Sequence, residues 1–192
     1  MSDDVSDDVA PDAELGDPDA ERTAALRTAV REVEAHAAAA GWDRPAQVFA
    51  LVDTADLLRH EPQLASVLGI DAAEPAGLTP VEQESAVESL EQLLPTIAWP
   101  PEVAGCAVVL EASTEPPGAE APAASEARVV AGVLRTGQSW CAIRQRAHDD
   151  DTLVLGGEDL VPTLLELLHA TFVPDPGDAD TEPEGPTESH HE

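Results

Sequence analysis

The sequence predicts an α+β domain in which an antiparallel sheet forms the core and helices pack against it. Apolar residues recur at helical spacing near the beginning and the end of the central region. Between these segments lie a continuous apolar run at 48–52 and further runs of strand length at 103–111, 127–135 and 138–146. Thr136-Gly137 separates the last two runs and predicts a tight hairpin. The predicted order of elements is α-β-α-(β)-α-β-β-β-α.

The first helix is predicted to begin at Asp17. The Asp17 carboxylate can accept hydrogen bonds from the free amides of the first turn, and Pro18 is tolerated there. The apolar stripe that should face the core consists of Leu26, Val30, Val33 and Ala37. Gly41 should end the helix, because glycine readily adopts the backbone conformation that closes one.

The next element is a strand over 48–52, which is too short to form an independent helix. Asp53-Thr54-Ala55-Asp56 follows directly and has the pattern of a helix cap, with an acid three residues after the capping side chain. A second helix should therefore begin at Leu57-Leu58. Pro62 should restart or kink this helix, and Gly69 should close the run.

Residues 72–77 are predicted to form a loop that leads into a short edge strand over 78–81. The edge position follows from Pro80, which has no amide hydrogen to donate to a neighbouring strand. A third helix should pack one face on the core and end near Pro95. The residues of that face are Val87, Leu90, Leu93 and Leu94.

The hairpin should follow the strand over 103–111 and a proline-rich loop over 113–127. A two-residue turn would place four pairs of residues opposite each other: Val133 and Trp140, Gly132 and Cys141, Ala131 and Ala142, Val130 and Ile143. Both faces of this hairpin are then apolar. We therefore expect the hairpin to be covered on both sides, or on one side by a partner subunit.

Leucines recur at helical spacing after the hairpin and predict a last helix over 158–171. The stripe expected to face the core consists of Leu160, Leu164, Leu167 and Leu168. This helix completes a single domain over 22–173, which is within the usual size of one domain.

Both ends of the chain differ in composition from this domain. Residues 1–21 hold nine acids and no base, and they lead into the first helix. Residues 174–192 hold seven acids, four prolines and no base. Neither end has enough apolar surface to offset the entropy of ordering it, so both are predicted to be disordered acidic tails.

The charge of the chain narrows the classes of partner. The 192 residues carry 39 Asp and Glu against 9 Arg and no Lys, a formal net charge of −30. Nucleic acids and anionic membrane surfaces bind cationic patches, so neither is expected to be a partner. The absence of Lys, Tyr and Asn is typical of a protein from a high-GC genome.

The N-terminal residues show no secretory signal, and no apolar run approaches the roughly 20 residues of a membrane helix. These features predict a cytoplasmic protein. Cys106 and Cys141 lie in apolar stretches, so we expect buried, reduced thiols. A disulfide and a reactive nucleophile are the alternatives for these cysteines.

The arginines of the hairpin form the first candidate site. They are Arg128, Arg135, Arg144 and Arg146, and they give one place on an acidic chain a locally positive character. Arginine suits bidentate recognition of carboxylates and phosphates, which points to a ligand or partner site. The alternative is internal pairing with acids such as Glu111 or Glu166.

The second candidate is a metal site formed by His148, Asp149, Asp150 and Asp151. Oxygen ligands of this kind suit a hard cation. The segment lacks the alternating spacing and the central glycine of a calcium loop, and three adjacent acids also fit a solvated turn. No catalytic residue and no cofactor is predicted, because the chain carries none of the phosphate-loop, dinucleotide or nucleophile motifs.

Several stretches taken together resemble a family of uncharacterised cytoplasmic proteins from actinobacteria. The stretches that carry the resemblance are 41–42, 49–55, 57–58, 78–84, 97–100, 103–107, 130–135, 159–162 and 170–172. The resemblance covers about residues 22–173 and implies an actinobacterial, cytoplasmic source. It implies no established activity and no catalytic residues.

Two functional hypotheses follow. The first is a non-catalytic binding or adaptor module, monomeric or homodimeric, whose partner is a protein or a small acidic ligand. The alternative is a metal-dependent hydrolase or transferase that uses the carboxylates near Asp149 to Asp151. The absence of a recognisable Ser, His or Cys motif favours the binding module and argues against an enzyme.

Overall fold

The structure is a computed structural model, and it describes residues 17–63, 76–84, 90–113 and 126–173. The helices are α1 (Pro18–Ala40), α2 (Thr54–His60), α3 (Leu90–Leu93) and α4 (Pro162–Ala170). The strands are β1 (Gln47–Asp53), β2 (Leu78–Gln83), β3 (Val103–Ser113), β4 (Glu126–Leu134), β5 (Ser139–Gln145) and β6 (Leu155–Gly157). Short 3-10 turns lie at Leu94–Thr96, Arg146–His148 and Asp151–Leu153. In the part of the chain so described, no helix is long and apolar enough to cross a membrane.

All six strands belong to one antiparallel sheet with the order β2-β1-β3-β4-β5-β6. The predicted α+β class with an antiparallel sheet core is therefore confirmed. The two edges are β2, which contains Pro80 as predicted, and β6. The sequence prediction missed β6, because Leu155-Gly156-Gly157 is short and glycine-rich and lacks the alternation that identifies a strand.

Each face of the sheet is covered by helical segments, as expected for a hairpin that is apolar on both sides. On the first face, α1 packs its predicted stripe of Leu26, Val30, Val33 and Ala37 on β1, β3, β4 and β5. Gly132 allows this close approach, because a Cβ atom there would lie 2.6 Å from Val30 Cγ2. On the second face, α4 and the turn at Leu94–Thr96 cover the side chains of Val48, Cys106, Val108, Ala131, Val133 and Cys141.

The predicted register of the β4–β5 hairpin is wrong by one residue. Val133 lies opposite Ser139 and Val130 opposite Ala142. The loop between the closing residues has three residues, since the Leu134 amide donates to the Gln138 carbonyl at 2.9 Å. Gly137 has a φ of 104°, which glycine adopts without strain and which this longer loop requires. A change of one residue moves β5 side chains to the opposite face relative to β4.

The last helix also differs from its prediction. α4 begins at Pro162 rather than near residue 158, because the chain bends after β6 and proline suits a first helical turn. The side chains buried against the sheet are Leu165 and Leu168. Leu160 precedes the helix and is 41% exposed, and Leu167 points away from the core and is 46% exposed.

The predicted helix caps are confirmed, but α2 begins at Thr54, three residues before the predicted Leu57, because the helix starts directly after its cap Asp53. The Asp17 carboxylate accepts from the Asp19 amide at the start of α1, and the Asp53 carboxylate accepts from the Ala55 amide at the start of α2. Gly41 closes α1. The predictions for Pro62 to Gly69, for Val87, for most of the 113–127 loop and for both tails concern segments wholly or mostly outside the described residues.

Candidate functional site

Three of the four predicted arginines meet at one end of the sheet, on the face covered by α1. Arg128 lies on β4, Arg144 lies opposite it on β5, and Arg146 follows β5. Arg135 lies at the other end of β4, where its guanidinium donates to the carbonyl oxygens of Trp99, Pro100 and Val103. We call the group around Arg128, Arg144 and Arg146 the arginine cluster.

Arg144 forms the buried centre of the arginine cluster. Its Nε and Nη2 atoms donate to the two carboxylate oxygens of Glu34 in α1 at 2.6 and 2.9 Å, which is a bidentate ion pair. Nη1 donates to Asp149 at 3.1 Å and Nη2 to Asp151 at 2.7 Å. These hydrogen bonds raise the pKa of Arg144, with Glu34 as the largest cause. Arg144 therefore ties α1 to the segment that leads into β6.

Arg128 is also buried. Its guanidinium lies 4.3 Å from the centre of the Trp42 ring and donates to the Gly41 carbonyl and the Glu111 carboxylate. Nη1 has no hydrogen-bond partner within the described residues. Arg128 also lines a cavity of about 10 Å³, large enough for roughly one water molecule. This cavity is too small for a ligand.

Arg146 lies closer to solvent. Its Nη1 and Nη2 atoms donate to the two carboxylate oxygens of Asp43, each at 2.8 Å, and Nη1 also donates to Glu126. The hydrogen bond from Arg146 lowers the pKa of Asp43. The guanidinium of Arg146 lies 5.3 Å from the centre of the Trp42 ring, which also contacts Arg128, and the Trp42 Nε1 donates to Asp149 at 2.9 Å. That indole hydrogen bond is the main reason why the pKa of Asp149 is lowered.

Carboxylates outnumber the cations of the arginine cluster. The three arginines contact Glu34, Asp43, Glu111, Glu126, Asp149 and Asp151. The hydrogen-bonding capacity of Arg144 and Arg146 is directed at these groups, so no open anion site results. The geometry favours internal pairing, and it includes the predicted partner Glu111 but not Glu166. A ligand-binding role for these arginines stays a prediction.

The residues of the predicted metal site do not converge. Asp149 and Asp151 are bound to Arg144, and Asp150 accepts from the amide and the hydroxyl of Thr152. His148 is exposed. Among the residues that the structure describes, no group of three or more His, Cys, Asp or Glu side chains is placed to hold a metal ion. The described geometry offers the alternative hydrolase hypothesis no metal ligand set.

The β6 edge has a different character from the arginine cluster. Leu155 on β6 is 58% exposed, and Leu153 and Leu160 on either side are 56% and 41% exposed. The Leu160 side chain folds back over Gly157, where a Cβ atom would lie 3.0 Å from Leu160 Cδ2. Exposed acids flank these leucines on both sides: Asp150, Asp151, Glu158 and Asp159. The edge is an apolar strip with an acidic border.

A cleft of about 460 Å³ adjoins the β6 edge between the hairpin loop and α4. Its lining residues are Thr23, Gly137, Gln138, Ser139, Glu158, Asp159, Pro162, Leu165, Glu166 and His169. Within this cleft, Ser139 Oγ and His169 Nε2 are 3.0 Å apart. Partial burial lowers the pKa of His169 and so favours the neutral imidazole.

Residues 26–173 match the family described as PPA1309-like protein. The chain belongs to the PPA1309-like protein family. The matched region covers most of the described fold, including the arginine cluster, the β6 edge and every residue that lines the cleft except Thr23. No curated protein and no solved structure matches the sequence. The family is uncharacterised, and the match assigns no activity to the chain.

Sequence reasoning missed both the β6 edge and the Ser139–His169 pair. Ser139 and His169 are 30 residues apart, and neither belongs to a local motif that would mark a nucleophile or a base. Their proximity depends on α4 packing on the second face of the sheet. Leu155 gave no strand signal because two glycines follow it.

Proposed function

We propose that this protein is a protein-binding module that adds an extended segment of a partner to its sheet at β6. The observation that carries the proposal is Leu155, a leucine 58% exposed on an edge strand. In strand addition, main-chain hydrogen bonds provide affinity and alternate side chains provide specificity. The exposed leucines at 153, 155 and 160 supply apolar contacts for such a segment.

The two edges of the sheet differ in how well they resist pairing. β2 contains Pro80, which lacks an amide hydrogen, and proline on an edge is a common protection against strand addition. β6 contains no proline and no charged residue. Its three residues provide few main-chain hydrogen bonds, so much of the affinity has to come from the leucine side chains.

Charge selects the kind of partner. The acids at 150, 151, 158 and 159 would face the same acids of a second copy, and the net charge of −30 adds to that repulsion. A segment that combines lysine or arginine with apolar residues complements both the acidic border and the leucines. The arginine cluster, by contrast, is already neutralised by its own carboxylates. The favoured partner is therefore a basic, extended protein segment rather than a small acidic ligand.

The test uses short synthetic peptides and fluorescence anisotropy. A peptide of alternating lysine and valine should bind, and a matched peptide with glutamate in place of lysine should not. An N-methylated lysine-valine peptide keeps its charge but loses its amide donors, so it should bind at least about tenfold more weakly. Amide hydrogen exchange should slow at residues 155–157 when the first peptide is bound.

Two variants of equal charge locate the site. Leu155→Asp should weaken binding of the lysine-valine peptide by about tenfold or more, because it removes the central apolar contact. Val81→Asp on the opposite edge is the matched control, since Val81 is 40% exposed, and it should bind like the wild type. Equal affinity of both variants, or exchange protection at β2 instead of β6, would contradict the proposal.

A further inference from the structure

The cleft beside β6 brings together groups that can do chemistry rather than only bind. Its volume of about 460 Å³ lies within the roughly 300 to 1,000 Å³ typical of small-molecule sites. It is continuous with the edge, because Glu158 and Asp159 follow Gly157 directly and line the cleft. Pro162 and Leu165 of α4 supply apolar surface. The cleft can hold a small organic molecule.

Ser139 and His169 have the geometry of a nucleophile and its base. The distance of 3.0 Å between Ser139 Oγ and His169 Nε2 is within the range for proton transfer between such groups. Both side chains are half-buried and line the cleft, so a bound molecule can reach them. Ser139 begins β5, and His169 lies in the last turn of α4. Two packed elements therefore hold the pair together.

We propose that Ser139 and His169 are the nucleophile and the general base of an esterase site that accepts esters of cationic alcohols. Ser139 Oγ forms a bond to the ester carbonyl carbon, and its proton passes to His169 Nε2. The bond from that carbon to the alcohol oxygen breaks, and the alcohol leaves with the proton from His169. Water then attacks the acyl-Ser139 ester, His169 accepts a proton from that water, and Ser139 recovers it as the carboxylic acid leaves.

The carboxylates of the cleft determine the substrate class. Glu158, Asp159 and Glu166 line the cleft, and no arginine is among its lining residues. A cationic alcohol is attracted to these acids, whereas an anionic ester is repelled. Glu166 lies one helical turn before His169 on α4, which places a carboxylate on the same side of the helix as the base.

A structural role is the competing explanation, in which the hydrogen bond only fastens α4 to β5. A serine with only a structural role is not activated, so its hydroxyl should not react with an acylating or phosphonylating reagent. An activated serine reacts with a fluorophosphonate, which forms a bond from phosphorus to Oγ and releases fluoride and the hydroxyl proton. Reactivity therefore separates the two explanations.

The experiment treats the full-length wild-type chain with a fluorophosphonate probe and locates the label by mass spectrometry. We expect a single label on Ser139, and this measurement needs no variant to fold. The absence of a label, or a label confined to other residues, would overturn the proposal. Hydrolysis of acetylcholine, an ester of a cationic alcohol, should also exceed that of a matched anionic ester, and the reverse order would exclude the proposed substrate class.

Variants test the role of the base. His169→Gln should slow the labelling of Ser139 by about a hundredfold or more, which is the usual contribution of a general base. His60→Gln, an exposed histidine of α2, is the matched control and should label like the wild type. Because burial lowers the pKa of His169, the pH at which the wild-type rate is half of its plateau should lie below the value of about 6.5 for a free histidine. A rate that His169→Gln leaves unchanged would refute the assignment of the base.

These outcomes are independent of the binding proposal. Leu155→Asp should leave the labelling of Ser139 unchanged, because Leu155 does not line the cleft. His169→Gln should leave binding of the lysine-valine peptide at β6 unchanged. Failure of one proposal can therefore be told apart from failure of the other.

Discussion

Replacing Arg144 with alanine tests the central structural conclusion about the arginine cluster. The Arg144 side chain is 3% exposed and the Glu34 side chain is 5% exposed, so their bidentate pair is shielded from water. Alanine would leave the Glu34 carboxylate buried without its cation. It would also release Asp149 and Asp151, which hold the segment leading into β6.

The loss of stability expected for Arg144→Ala depends on the burial of the ion pair rather than on the number of its contacts. Removing one partner of a buried ion pair costs about 3 to 5 kcal/mol, because an uncompensated charge stays in the interior. Exposed pairs contribute about 0 to 1 kcal/mol, so the contact of Arg144 with Asp151, whose side chain is 90% exposed, adds little. For a domain of this size, we expect the melting temperature to fall by about 6 to 20 °C.

Urea denaturation followed by tryptophan fluorescence measures the free energy of unfolding. Arg146→Ala is the matched control, because Arg146 is the most exposed arginine of the cluster, and its loss should cost no more than about 1 kcal/mol. Glu34→Gln combined with Arg144→Met should recover most of the loss, since no buried charge then stays unpaired. A cost below about 1 kcal/mol for Arg144→Ala would refute the reasoning, as would a double variant no more stable than Arg144→Ala alone.

Two further predictions concern titratable groups. Burial raises the pKa of Cys106 to about 12 and also raises that of Cys141, so neither thiol should react with a thiol reagent near neutral pH until denaturant is added; rapid labelling of the native chain would contradict this. The pKa of Asp149 is lowered by the Trp42 and Arg144 hydrogen bonds, so its stabilising contribution is present above its unfolded pKa of about 3.9 and is lost as pH falls through the lower folded value. Asp149→Asn should therefore lose less stability than the wild type in denaturation series between about pH 5 and pH 2, and an equal loss would show that the indole and guanidinium contacts do not stabilise the charged form.

Much of the fold could be predicted from the sequence, because the decisive signals are local. Asp17 and Asp53 cap helices through hydrogen bonds to amides only two residues away, so a short motif is sufficient to place them. The apolar residues of α1 recur with the repeat of an α-helix, so the segment's own sequence shows which of its residues share a face. Pro80 marks an edge strand because its lack of an amide hydrogen is a property of the residue itself.

The sequence predictions were wrong where the local sequence is compatible with more than one arrangement. Thr136-Gly137 fits a two-residue and a three-residue loop, and the pairing of Leu134 with Gln138 decides the register only after the strands pack. Leu160, Leu164, Leu167 and Leu168 have helical spacing, but the position of α4 on the sheet buries Leu165 instead of Leu160 and Leu167. Periodicity identifies a helix without stating which of its faces meets the core.

For the candidate sites, too, the sequence determined some features and the tertiary structure decided others. Composition alone determined that the chain is strongly acidic, and the sequence shows that four of its nine arginines lie on or next to the hairpin. Only the tertiary structure decided their partners, because Glu34 lies 110 residues from Arg144 and meets it through the packing of α1 on β5. The same kind of long-range packing brings His169 to Ser139 and leaves Leu155 on an open edge. Charge and periodicity are properties of a linear chain, whereas a site is a set of distances that exists only once the sheet and its helices have assembled.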